Sequence, residues 1–486
     1  MIVFNEIPAG IRTPFTYVEF DASRATGGVP QYPSRLLVLG QAKSQAVGTV
    51  GVPTRITRDD QLLAFGAGSQ LAHMLSVVRQ NNAYTETWAL PVGDPDQGIA
   101  AVQTLTLTGA ATETALMTLW IGGRRVQVRI DKGTTAAEAA TKIAADLATA
   151  TTLAVTASAS GAVVTFTARH LGALGNDIDI RTSFYPGERL PAGLTAVIAQ
   201  TVVGAGTPDL ADILAVLGGE QYEYIVQPWT ESGFMADLED ELVRRAGPTV
   251  MREGICFTAK RGTLGELTSW GDARNCQFVS AMGAYASPTP SYEWAAAYGA
   301  IAAFQLPIDP ARPIHTLSLK GVLPPAPTDR FTQQEQNILL HHGIATWMVS
   351  SDGEVQIQRE ITTFQKNAWG QPDAAWLDVQ TPATLAFLRK DIRFLIETRF
   401  PRHKLASDGT RILAGQPIVT PTLIKDELIA RASLWEGMGL VEGIEQFKRE
   451  VVVERNQGDA NRVDAIIPTN IVNQFRVFAG QLQFIV

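Results

Sequence analysis

Leu36-Leu-Val-Leu-Gly40 and Thr85-Glu-Thr-Trp-Ala-Leu90 bracket the segment that sets the fold class. The first is a short, unbroken apolar run, the pattern of a strand buried on both faces. The second is β-prone and stops at Pro91. Between them Thr57-Arg-Asp-Asp60 precedes a helical stretch in which Leu71, Leu75 and Val78 fall at i, i+4 and i+7. Strand, helix, strand predicts an α/β unit with a parallel sheet.

Working outward, the pattern breaks off at Gly93-Asp-Pro95 and resumes after Gly204-Ala-Gly206. In between, charged residues thin out and Ala, Thr and Gly dominate. Leu105, Leu107, Met117, Leu119, Ile121, Val126, Val128 and Ile130 alternate as strands, with Gly122-Gly123 placed for a hairpin turn. Ala139, Ile143 and Leu147 mark one helix over 135–148, and Val155 and Val163–Phe166 return to strand. Residues 96–205 therefore read as a mostly-β domain inserted into an α/β domain made of 30–95 and 206–365. The second half of that domain alternates helices (209–217, 235–246, 294–304, 332–343) with strands at Tyr222–Val226, Glu253–Thr258 and Val355–Ile361.

Beyond lies a C-terminal α+β domain, 366–469. Thr381-Pro382 and Thr420-Pro421 each place an N-cap Thr before Pro at the first helical position. Leu385, Leu388, Ile392 and Leu395 stripe the first helix. In the second, Ile424, Leu428, Ala432 and Trp435 are apolar, while Lys425, Glu427 and Arg431 form a polar side in which Glu427 and Arg431 are spaced for an i, i+4 pair. Phe447–Glu454 reads as a strand, followed by a turn at 456–459 and a strand at 462–467.

Both ends are strand-like. Residues 1–29 form an extended N-terminal arm with β-prone Ile2–Phe4 and Phe15–Phe20 around Pro8 and Pro14. Residues 470–486 alternate with Phe475, Val477 and Ala479 on one side, and Gly480 shifts the phase so that Leu482, Phe484 and Val486 continue it. An apolar strand at a chain end needs an edge to pair with, in its own chain or in another. The fold class expected is thus α/β and α+β multidomain: an α/β core domain with an inserted mostly-β domain, a C-terminal α+β domain and extended terminal arms.

Composition narrows the function. The 486 residues are 45% hydrophobic and 18% charged, with a net charge of −8. That is a globular chain with material for several cores, and it lacks the basic balance of a nucleic-acid binder. Met1-Ile-Val-Phe-Asn-Glu has neither the basic start nor the apolar run of a signal peptide, and no apolar run approaches the ~20 residues needed to span a bilayer. Folding in a reducing cytoplasm is expected. Cys256 and Cys276 make no disulfide framework and no zinc spacing, and read as buried thiols.

Catalytic motifs are absent. Gly66-Ala-Gly68 lacks the third glycine of a dinucleotide loop, and no phosphate-binding loop, zincin motif or nucleophile elbow occurs. His341-His342 are adjacent and diverge on a helix, and Glu239-Asp-Glu241 reads as a solvated helix face. No catalytic residue, cofactor or metal is expected.

Further residues carry a resemblance. They are Phe4-Asn-Glu-Ile-Pro-Ala-Gly-Ile-Arg-Thr-Pro14 with Asp21-Ala-Ser-Arg24; Asp309-Pro-Ala-Arg-Pro-Ile-His-Thr-Leu317 before Gly321-Val; Arg359-Glu-Ile-Thr-Thr363; Asn367-Ala-Trp-Gly370 and Asp373; and Leu377-Asp-Val-Gln-Thr381 leading to Thr384-Leu. In order and spacing the chain resembles the tail sheath proteins of contractile bacteriophages, most closely those of Mu-like phages. The match is weakest in the β-rich insertion.

The resemblance implies a structural protein rather than an enzyme: hexameric rings stacked around a tail tube, contracting to drive it through a bacterial envelope. It implies a C-terminal domain facing the tube, an outward insertion, and arms paired with neighbouring subunits. The arm residues would be Phe4, Ile7, Phe15, Tyr17, Phe475, Val477, Leu482 and Phe484, and the tube-contact set Lys425, Glu427 and Arg431. Implied partners are further copies of the chain, the tail tube protein, and baseplate and tail terminator proteins, with no nucleic acid and no membrane insertion. The protein would reside in the virion tail after assembly in the host cytoplasm. A phage-tail-like bacteriocin sheath and an α/β enzyme with an inserted β domain are the alternative readings.

Overall fold

The computed structural model describes residues 32–43, 50–411, 413 and 415–485. The described residues form two compact units, a larger one over Pro33–Leu388 and a smaller one that takes in Tyr32 and the residues from Arg389 onward. The boundary falls inside a helix, later than the 365/366 division expected from the sequence.

The larger unit opens with β1 (Arg35–Gln41), β2 (Thr54–Ile56), α1 (Gln70–Asn81, capped by Ser69) and β3 (Glu86–Val92). β1 pairs with β3 in parallel, Leu36 opposite Thr87 and Gly40 opposite Pro91. The proline does not close this strand. β2 covers only Thr87–Ala89 of the outer edge, so Pro91 sits where that ladder has already ended.

The segment after β3 builds separate sheets. Its elements are β4 (Val102–Gly109), β5 (Ala115–Ile121), β6 (Arg124–Ile130), α2 (Ala136–Thr149), β7 (Val155–Ser160), β8 (Val163–Ala168), β9 (Ile180–Arg181) and β10 (Leu194–Val202). β10-β4-β8-β7 form one antiparallel sheet and β6-β5-β9 a second. Leu105, Met117 and Phe166 of these sheets share one core with Ile143 of α2. The β5–β6 turn uses Gly122 and Gly123, both at positive φ, as a two-residue hairpin demands.

The main sheet then continues on the other side of β1. In order come α3 (Leu210–Leu217), β11 (Tyr224–Val226), α4 (Ser232–Ala246), β12 (Ile255–Lys260), α5 (Leu264–Asp272), β13 (Val279–Gly283), α6 (Ser291–Gln305), α7 (Gln333–His341), β14 (Ile344–Val349) and β15 (Val355–Arg359). The eight-stranded order is β15-β14-β13-β12-β11-β1-β3-β2, parallel from β14 to β3 with antiparallel edges. α6 is buried along Ser291–Ala303 and covers one face with α1; α3, α4 and α5 contribute to the core on the other.

The inserted segment meets this core through charge. Arg124 donates to Glu293 in the first turn of α6 at 2.7 Å, Ser291 donates to Asp177, and Arg261 reaches Asp179 at 3.5 Å. Burial raises the Glu293 carboxyl against the pull of Arg124. His73 lies 3.7 Å from Glu293, and burial drives its imidazole down to about 3, so it stays neutral.

The smaller unit takes the second half of α8 (Gln380–Arg399), then β16 (Lys404–Leu405), β17 (Ile418–Val419), α9 (Pro421–Gly437), α10 (Ile444–Glu450), β18 (Val452–Arg455) and β19 (Val463–Ile466). Here the expected strand 447–454 divides. Phe447 lies buried in a short helix whose exposed side carries Lys448–Glu445 and Gln446–Glu450 contacts, and pairing starts only at Val452.

Candidate assembly surface

Thr420 caps α9 by accepting from the Leu423 amide, with Pro421 at the first position. Leu428, Ala432 and Trp435 turn inward. That leaves Lys425 and Glu427 half-buried, and Asp426, Ala430, Ser433 and Leu434 facing water.

The expected Glu427–Arg431 pair does not form. Arg399 donates to Glu427 at 3.0 Å, and Arg431 forks onto Asp391 of α8. Asp391 is 1% exposed and also accepts from Trp435 Nε1 at 2.7 Å and the Tyr32 hydroxyl at 2.5 Å. Burial by itself would raise the Asp391 carboxyl. Hydrogen bonds from Arg431, Tyr32 and Trp435 outweigh that and hold it below the usual carboxylate value. Burial first, then the carboxylate beside it, push the Tyr32 hydroxyl up to about 12.

Arg431 is thus an internal strut joining two helices. The sequence did hold a signal for it. Asp391 sits three residues after Leu388 and four before Leu395, an acid on an apolar stripe.

The base of the C-terminal stretch is tied by backbone contacts. Val441 bridges Ile471, Glu442 donates its amide to Asn470 and Val472 to Leu440. From 473 to 485 the chain has no helix or strand partner within the described residues. Phe475, Val477, Leu482 and Phe484 are 75% to 93% exposed, and Phe478 with them. Beside this stretch in the sequence, β18 and β19 form a sheet of two strands among the described residues. The other arm residues, Phe4, Ile7, Phe15 and Tyr17, lie outside the described residues.

Residues that could have signalled chemistry are structural. Cys256 and Cys276 are buried free thiols. Burial raises both, Cys276 to about 12, well away from a reactive thiolate. His342 ends α7 and contacts Asp272 at 2.6 Å.

The acidic run 239–241 is not a solvated face. Glu239 lies 3.8 Å from Arg274, with burial raising its carboxyl to about 7. Glu241 is held by Arg244, and only Asp240 is exposed. Among the described residues no cluster of three or more His, Cys, Asp or Glu could hold a metal, and no helix is long and apolar enough to cross a membrane.

Residues 203–363 match the phage tail sheath protein central domain and residues 371–485 the phage tail sheath C-terminal domain. The Mu-like prophage FluMu tail sheath protein of Haemophilus influenzae is 40% identical over 485 residues, covering 100% of this chain and 99% of that one. Among solved structures, a sheath tail protein from Listeria innocua shares the fold with a TM-score of 0.50 at 10% identity, over 93% of this chain and 94% of its own. One from Desulfitobacterium hafniense has a TM-score of 0.48 at 11% identity, over 94% and 100%. The chain belongs to the phage tail sheath family, the structural sheath of a contractile tail.

Proposed function

We propose that this chain polymerises as stacked hexameric rings around a tail tube, contracts to drive the tube through a bacterial envelope, and is linked between subunits by exchanged strands. The observation that supports the reading is the segment 473–485, in which Phe475, Val477, Leu482 and Phe484 are exposed and no helix or strand forms among the described residues. Leaving such a segment in water is unfavourable, and a neighbouring sheet edge is the partner that satisfies backbone and side chains together.

β18–β19 is the acceptor within this reading. A hairpin of two strands is marginal alone and gains from added strands. Each added backbone hydrogen bond contributes about 0.5–1.5 kcal/mol net, and several act together. The N-terminal arm, with Phe4, Ile7, Phe15 and Tyr17, supplies a second strand. Such links keep the lattice joined while the compact units move.

The tube contact falls on α9. Arg431 and Glu427 are committed to Asp391 and Arg399, so Lys425 and the exposed Asp426 carry the polar contact, with Glu427 and Arg431 shaping the helix behind them. Tube, baseplate and terminator proteins are the partners, and assembly takes place in the host cytoplasm. Negative-stain electron microscopy of the purified chain tests the reading. Hollow tubes or rings are expected; compact monomers at every concentration and salt condition would overturn it.

A further inference from the structure

Residues 366–372 make a tight turn that presents Trp369 to solvent at 84% exposure. The turn is firmly built. Lys366 bridges Pro372, the Gly370 amide donates to Asn367 O at 2.9 Å, and Asn367 Oδ1 accepts from the amides of Trp369 and Gln371. Its base is tied to the core. Asn275 accepts from the amides of Gln365 and Lys366 and donates to Lys366 O at 2.8 Å, while Gln365 Nε2 donates to Gly271 O. A large aromatic ring held at the tip of an ordered turn is an anchor in search of a socket.

The same unit contains a socket. A cavity of about 420 Å³ opens at the end of β3, lined by Val92, Ile213 and Val216 together with the carboxylates of Asp96, Asp209 and Asp212. Its size suits an aromatic anchor. Its carboxylates match Lys366, the one charged residue of the turn.

Placement decides the occupant. Asn275 precedes β13, so the Trp369 turn lies at the N-terminal end of the parallel strands. The cavity lies at their C-terminal end, beside β3. Copies stacked in one orientation bring these opposite ends together. Such head-to-tail contacts close into rings or run on as helical filaments.

We infer that Trp369 of one copy inserts into the acidic-rimmed cavity of the next. The inference rests on the polymer reading above. It adds a contact between core units that is independent of the exchanged arms.

Two single-cysteine variants test it, Ala368→Cys beside the anchor and Ala211→Cys beside the cavity. Both sites are exposed, and both native thiols are buried. The variants are mixed one to one, assembled, checked by electron microscopy and treated with a short bismaleimide. The mixture should give at least tenfold more covalent dimer than either variant alone, and a chain bearing both cysteines should give a ladder. In parallel, Trp369→Ala should raise the critical concentration for assembly tenfold or more with no change in melting temperature. Normal polymers without excess mixed dimer would overturn this contact while leaving the polymer reading intact. Absence of polymers from the unsubstituted chain would overturn both.

Discussion

Asp391 shows how one residue changes the reading of another. Arg431 belongs to a polar helix face by periodicity, yet its charge is absorbed by a carboxylate 40 positions earlier, with Trp435 and Tyr32 completing the shell. Replacing Asp391 by Ala strands a partly buried guanidinium and an indole N–H. The expected loss is about 3–5 kcal/mol in urea unfolding at pH 7, and a loss below 1 kcal/mol would show the shell to be dispensable. The pH dependence follows from the lowered carboxyl. Below its folded value the group is protonated in both states and contributes nothing. Above the ordinary carboxylate range its contribution is complete, so it is lost as pH falls through the lowered value. Acid unfolding of wild type should therefore show a component that Asp391→Ala lacks.

At the scale of elements, α6 carries the sharpest test. Gly299 faces the sheet so closely that a Cβ would stand 2.2 Å from Val226 Cγ2 and 3.2 Å from Phe257 Cβ. Gly to Ala in an open helix stabilises by about 1 kcal/mol. Here overpacking wins, and Gly299→Ala should destabilise by about 1–3 kcal/mol in thermal unfolding. An unchanged or higher melting temperature would mean the helix can move away. On α9, Thr420→Ala removes the cap of the Leu423 amide and should lose about 1 kcal/mol.

Elements with strong periodicity were legible. β1, α1 and the Gly122-Gly123 hairpin follow from spacing alone. α10 was not, because Val451–Glu454 continues straight from a helical turn and an alternating reading absorbs both. The Glu239 pairing was invisible for another reason: its partner, Arg274, lies far away in sequence, beyond the reach of any local pattern; for Arg431 the sequence marks Asp391 as an acid on an apolar stripe but does not say which cation meets it.

For the whole molecule, the alternation of 470–486 predicts a strand, but among the described residues 473–485 form none and leave Phe475, Val477, Leu482 and Phe484 exposed; sequence alternation marks a segment able to pair and does not name the sheet edge it would join. If its backbone pairs across subunits, Val477→Pro should leave monomer stability unchanged and weaken assembly, because proline removes a ladder donor and fits poorly within a sheet. The most direct measurement compares the full chain with one ending at Asn470, by sedimentation and electron microscopy under identical conditions. The full chain should pellet as tubes or rings while the shortened chain stays a folded, soluble monomer. Equal assembly by both would contradict linkage through the C-terminal strand.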